Sequence, residues 1–185
     1  MVLYLGISIL LFFKGYRHLT GHKVTHIAFK WLWNSACQNK HKVFFWLLMH
    51  DRLSTRELLK RKNMALPSYF CVCCNLSVEE SISHIFLHCM FARSCWSSIG
   101  LNIGQSDPFP TLKQLRNQLN VPFFMEVIIL MCWGIWMQRN DFIFKGIQPS
   151  HQNCRHHFFK EFALVILRAK PRYKNSMLLW LDGLA

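Results

Sequence analysis

The chain has 185 residues, 52% of them hydrophobic and seven of them Trp, which excludes general disorder and allows one or two small domains with a real core. Lys and Arg number 22 against 9 Asp and Glu, a formal charge of +13 that favours polyanions such as nucleic acid and says little about fold. Three of the eight cysteines crowd together at Cys71, Cys73 and Cys74, too close for an orderly disulfide framework, so a reducing compartment, nucleus or cytoplasm, is expected.

Met1 to Phe13 is almost wholly apolar. It lacks a preceding positive charge and a small-residue cleavage site, and about 13 residues fall short of the roughly 20 that span a bilayer. It reads as a strand or the truncated end of a larger domain, leading into a short helix at Lys14 to Leu19, and no membrane partner is expected. Thr25 to Asn34 suits a helix with Ile27, Trp31 and Trp33 partly buried. In the next helix Val43, Phe44, Leu47 and Leu48 form one apolar face. Ser54 and Glu57 have capping-box spacing and start a short helix, Thr55 to about Lys62, that buries Leu58 and Leu59 and ends at Pro67. Around it gather Lys40, Lys42, Arg52, Arg56, Lys60, Arg61 and Lys62, a candidate phosphate-contacting set.

The stretch Cys71 to Cys89 carries the most specific chemistry. A Cys-x2-Cys pair, Cys71 and Cys74, is followed by His84 and Cys89, the layout of a closed Cys3His zinc site. Four protein ligands leave no open position for water, so the site reads as structural. In one continuous helix His84 and Cys89 would sit about 140° apart, so a distortion or helix boundary is expected between them. Phe86, Phe91 and Trp96 are then available to pack beside the metal.

Gly100 to Pro110 holds two Gly and two Pro and reads as a linker between a zinc-binding unit, 1–99, and a helical segment, 111–185. Helices are expected at Leu112 to Leu119, from Pro122 through a buried run Phe123 to Met137, and near Cys154 to Ala169, where Pro171 stops the last. The fold class is therefore mainly α: a small helical domain stapled by a Cys3His zinc knuckle, then a C-terminal helical segment. Trp31, Trp33, Trp46, Trp133 and Trp136 lie in apolar helical runs and belong to a core before they stack on bases. His151, His156 and His157 lack a partner segment and read as a helix start. Cys132 and Cys154 have no base at recognisable spacing for a nucleophile.

The segments WLWNSACQNKHKVFFWLLMHDRLSTRELLKRKNM, CVCC, EESISHIFLHCMFA and WGIWMQRNDFIF together resemble the zinc-binding domain that follows the polymerase in reverse transcriptases of plant LINE-type (non-LTR) retrotransposons. The resemblance runs from about Tyr16 to Phe144. It implies Zn2+ held by Cys71, Cys74, His84 and Cys89, with RNA or DNA, or a reverse transcriptase domain, as partner. Cys73 inside the knuckle, His88 beside the last ligand, and Asn39 where a proline is usual depart from the pattern. Polymerase chemistry requires paired aspartates, but Asp51, Asp107, Asp141 and Asp182 are scattered, and an RNase H carboxylate cluster is equally absent. A non-catalytic accessory module that contacts nucleic acid nonspecifically is expected. A structural module packing on a polymerase, or a retroelement remnant without a role, are the alternatives.

Overall fold

The computed structural model describes residues 26–74, 76–104 and 107–184, so the apolar opening and the helix expected at Lys14 to Leu19 lie outside the described residues. The chain forms α1 (Ile27–Asn34), α2 (Asn39–Met49), α3 (Arg56–Arg61), a π-helical turn (His84–His88), α4 (Met90–Ser97), α5 (Pro108–Leu119), α6 (Phe124–Lys145), α7 (His151–Arg168) and α8 (Pro171–Asp182). Among the described residues the one β pairing is an isolated antiparallel bridge between Phe70 and Glu79. The mainly helical expectation holds.

The 22-residue α6 is the central element, buried almost all round through its first four turns. A helix apolar on every side must be enclosed, and α2, α4, α5 and α7 each pack against it. α6 lies closest to α7, where Gly134 leaves room for Cys154; a Cβ at Gly134 would stand 3.2 Å from the Cys154 sulfur. Phe158 and Phe162 of α7 stack at 5.6 Å, and Phe162 meets Trp180 of α8 at 5.3 Å. One cluster of buried apolar side chains runs from Ala28 to Met177. No single described helix is long and apolar enough to cross a membrane.

Several element-level expectations shift. Ile27 is 48% exposed and Ala28 and Leu32 are the buried residues of α1, while Trp31 and Trp33 are partly buried as expected. In α2 the inward face is His41, Phe44, Phe45 and Leu48, and Val43 faces out. The cap of α3 is Thr55, whose hydroxyl accepts from the Leu58 amide at 3.2 Å; the Ser54–Glu57 box is not formed, because the Glu57 amide donates to the Glu80 carbonyl. Leu58 and Leu59 are only partly buried, and α3 ends at Arg61, followed by Asn63 in the left-handed region, well before Pro67.

α5 begins at Pro108, inside the expected linker, since the first-turn amides that proline lacks have no intrahelical acceptor anyway. Leu101 and Ile103 of that stretch are buried. Pro122 sits in the turn before α6, not in its first helical turn. α7 starts at His151, capped by Ser150, and Pro171, expected only as a stop, opens α8.

Candidate metal centre

A short reversal carries Cys71 and Cys74. The Cys71 amide donates to the Val78 carbonyl at 2.8 Å and the Glu80 amide to the Tyr69 carbonyl at 2.9 Å, closing the chain around the two cysteines. Ser77, at φ 49, supplies the left-handed residue of the return. Inside the loop the Cys73 amide donates to the Cys71 sulfur at 3.4 Å, a bond that favours a thiolate there.

The other two residues come from the junction of the π-helical turn and α4. Wider π winding places His84 at the start of the turn, and its carbonyl accepts from the Cys89 amide at 2.7 Å. Cys89, at φ −59 and ψ 131, ends the turn and caps α4. This is the distortion that the five-residue spacing requires: the π turn and the extended residue after it bring onto one side two groups that a regular α-helix would separate.

The ligand atoms of Cys71, Cys74, His84 and Cys89 all lie within 4.8 Å of one another. The Cys71 and Cys89 sulfurs are 3.9 Å apart, and the Cys74 sulfur is 3.3 Å from His84 Nε2. A tetrahedral ion with Zn–S near 2.3 Å and Zn–N near 2.0 Å requires edges of about 3.8 Å for S···S and about 3.5 Å for S···N. The donor set fits. Cys71, His84 and Cys89 are buried and Cys74 half-buried, while Cys73 and the exposed His88 stand outside the cluster.

Without a metal, the interaction with the Cys73 side chain outweighs the amide's opposite effect and leads the causes that push the Cys71 thiol up to about 12, and its neighbour Cys71 with burial does the same to Cys89, also about 12. Burial raises Cys74. Crowded sulfurs oppose one another's ionisation, and a divalent cation removes that opposition by taking the protons' place.

Residues 13–96 match the family described as zinc-binding in reverse transcriptase. That family is a zinc-binding accessory domain, and the matched stretch contains all four cluster residues while spanning less than half of the 185-residue chain. No curated protein and no solved structure matches the chain. The matched domain and the Cys3His cluster together make this a metal-binding module.

A contact that the sequence did not announce braces the loop between Cys74 and His84. Glu80, fully buried, accepts through Oε1 from Arg139 Nη2 at 2.6 Å and Nε at 3.2 Å and from the Arg56 amide at 3.0 Å. Arg139, on α6, also donates to the Ser54 carbonyl and the Asn140 side chain, and its guanidinium lies 4.7 Å from the Trp136 ring centre. Thus Glu80, between Cys74 and His84, ties the loop to both α3 and α6.

The seven basic candidates are not one free set. Lys40 pairs with Glu161 of α7 at 3.2 Å, and Lys42 donates to the Trp33 carbonyl, with burial lowering its pKa. Arg56 donates to the Phe70 carbonyl, Lys60 pairs with Glu79 at 2.8 Å, and Arg61 pairs with Asp51. Arg52 and Lys62 are exposed without a described carboxylate partner. The five from Arg52 to Lys62 surround α3 beside the knuckle, whereas Lys40 and Lys42 turn to α7 and α1. Trp133 and Trp136 pack with Phe44 in the core, and His151 stacks on Phe91 at 5.0 Å.

Proposed function

We propose that the protein is a non-catalytic Zn2+-binding accessory module of reverse transcriptase origin, in the plant LINE-type lineage its sequence resembles, that contacts RNA or DNA nonspecifically through the face around α3. The observation that carries the metal half is the convergence of four S and N atoms within 4.8 Å. Cys71, Cys74, His84 and Cys89 would hold the ion, and a closed set of four gives it a structural role. It staples the knuckle to the π turn and the start of α4.

Support for the nucleic-acid half comes from charge. Arg52 and Lys62 have no described carboxylate partner, and Lys60 and Arg61 are in exposed pairs of the kind worth little in water, which phosphates can displace. Arg56 and Lys42 are committed to carbonyls. Four exchangeable cations give a slope of log affinity on log salt of about −2.8 on single strands and about −3.6 on duplex.

Metal analysis and salt-dependent binding to a random-sequence RNA test the two halves. One zinc per chain is expected in protein purified under reducing conditions without chelator, with loss in Cys71→Ser and His84→Ala; unchanged zinc in both variants sinks the ligand assignment. Arg52→Ala with Lys62→Ala should flatten the salt slope by about 1.4 on single strands. Binding that ignores salt removes the second half and leaves the first.

A further inference from the structure

A cleft of about 350 Å³ opens between α1, the start of α6 and the α7–α8 turn, away from the cysteine cluster. Its volume is in the range of small-ligand sites. Beside an apolar lining that includes Phe123, Phe124, Met125 and Met177, three kinds of group in it could engage a polar ligand. Trp31 and Tyr173 are aromatic walls, each with a guanidinium near its ring, Arg116 at 4.6 Å from the Trp31 centroid and Arg172 at 4.6 Å from that of Tyr173. Arg168 and Lys170 are exposed at the α7–α8 turn, and neither has a carboxylate partner among the described residues. Glu126, only 8% exposed, is the one carboxylate among the described lining residues, fixed because its Oε1 accepts from the Ala36 amide at 2.7 Å.

This combination suits a composite ligand better than a simple one. A bare phosphate would gain from Arg168 and Lys170 but would meet the Glu126 carboxylate, and an apolar molecule would leave all three charges without purpose. The lining instead calls for an anionic end, a flat aromatic body and N–H donors at the far end. A carboxylate has about four acceptor sites, so one bond from Ala36 leaves Glu126 able to accept two more. Among the common bases guanine places two donors, N1–H and the 2-amino group, side by side for one carboxylate; adenine and cytosine offer a single amino group there, and uracil one imide N–H.

We propose that this cleft binds a guanine nucleotide, free or as an unpaired residue of a nucleic acid strand, with Glu126 on the base edge, Trp31 and Tyr173 against the ring and Arg168 and Lys170 on the phosphate. The proposal does not rest on the metal centre or on the basic face around α3, so its failure leaves both readings standing.

Calorimetric titration of the zinc-loaded full chain with GMP, AMP, CMP, UMP and inorganic phosphate tests it. GMP is expected to bind at least tenfold more tightly than the other nucleotides. Glu126→Gln keeps an acceptor for Ala36 but places a donor in the amide, and should cost GMP at least tenfold while leaving AMP unchanged. Arg168→Ala with Lys170→Ala should weaken GMP and AMP alike and leave guanosine unaffected. Should Glu126→Gln fail to fold by far-UV circular dichroism, Tyr173→Ala replaces it, with all four nucleotides weakened. GMP binding no tighter than AMP, GMP binding unaltered by these variants, or inorganic phosphate binding as tightly as GMP overturns the proposal.

Discussion

Replacing Arg139 by Met removes the only cation that reaches Glu80 among the described residues, and the size of the loss follows from the burial of both side chains. Glu80 is fully buried and Arg139 is 4% exposed, so the carboxylate left behind keeps the Arg56 amide as its one donor among the described residues and stays buried. Breaking a buried pair from one side costs about 3–5 kcal/mol, a large share of the roughly 5–15 kcal/mol that holds a domain folded. Glu80→Gln is milder, about 1–3 kcal/mol, because the amide oxygen still accepts from Arg56 and Arg139 keeps the Ser54 carbonyl and Asn140. The double variant removes the stranded charge, so its loss should fall short of the sum of the singles by about 2 kcal/mol. Urea denaturation of the four zinc-loaded proteins measures that coupling. Because Glu80 lies in the loop between Cys74 and His84, Arg139→Met should also weaken zinc about 10–100-fold in a competition titration, as loss of groups that orient ligands does. Strict additivity of the two single variants, with zinc affinity intact, would refute the account of a charged brace.

Other groups give independent tests. Zinc affinity should fall as pH falls, approaching tenfold per pH unit for each thiol proton the ion displaces, since Cys71 and Cys89 are protonated at neutral pH without metal; competition titrations at pH 6, 7 and 8 read it directly. His41 is fully buried and burial pushes its pKa down to about 4, against an attraction from Glu161 Oε2 at 3.5 Å. The unfolded chain therefore binds this proton first, so stability is lost as pH falls from about 6.5 towards 4, by at most roughly 3 kcal/mol. His41→Phe should remove that part of the pH dependence, seen as the difference between the two proteins in denaturant melts. Gly134→Val drives a branched side chain against Cys154 and should cost about 1–3 kcal/mol in the same melts, whereas Val43→Thr on the exposed side of α2 should cost under about 0.5 kcal/mol.

The metal cluster was legible because its information is local. Cys-x2-Cys fixes a turn, and His84 and Cys89, five positions apart, cannot share a side of an α-helix, so the sequence requires a break there and leaves its π form to packing. Helix existence was legible for the same reason, except for α8, whose opening Pro171 read only as the stop of the helix before it. Faces and ends were less so: α2 is apolar on several sides, and whether Val43 or Phe45 turns inward is decided by where α6 lies. The cap at Thr55 displaces the Ser54 box because Glu80, distant in sequence, takes the Glu57 and Arg56 amides. Arg139 stands 59 positions from Glu80. Nothing in either local sequence marks them as partners, although both lie within segments that resemble the family.

The match to the zinc-binding family stops at residue 96, but the forces that hold the cluster do not stop there. Two of the four candidate ligands sit at the ends of the π turn, which touches α6, and the α4 that Cys89 caps packs on both α6 and α7. Trp96, the last matched residue, is 1% exposed and donates to the Phe86 carbonyl at 2.9 Å, so the π turn is held from a helix whose other neighbours come from beyond the match. Arg139, which neutralises the loop carboxylate, also comes from beyond it. Removing α6 and α7 would expose Phe86, Phe91 and Trp96 to water and take Arg139 away from Glu80. The metal can supply the geometry of its four ligands, but it cannot replace that buried apolar surface. The stability of the metal centre is therefore set as much by the helices after residue 107 as by the cysteines and histidine themselves.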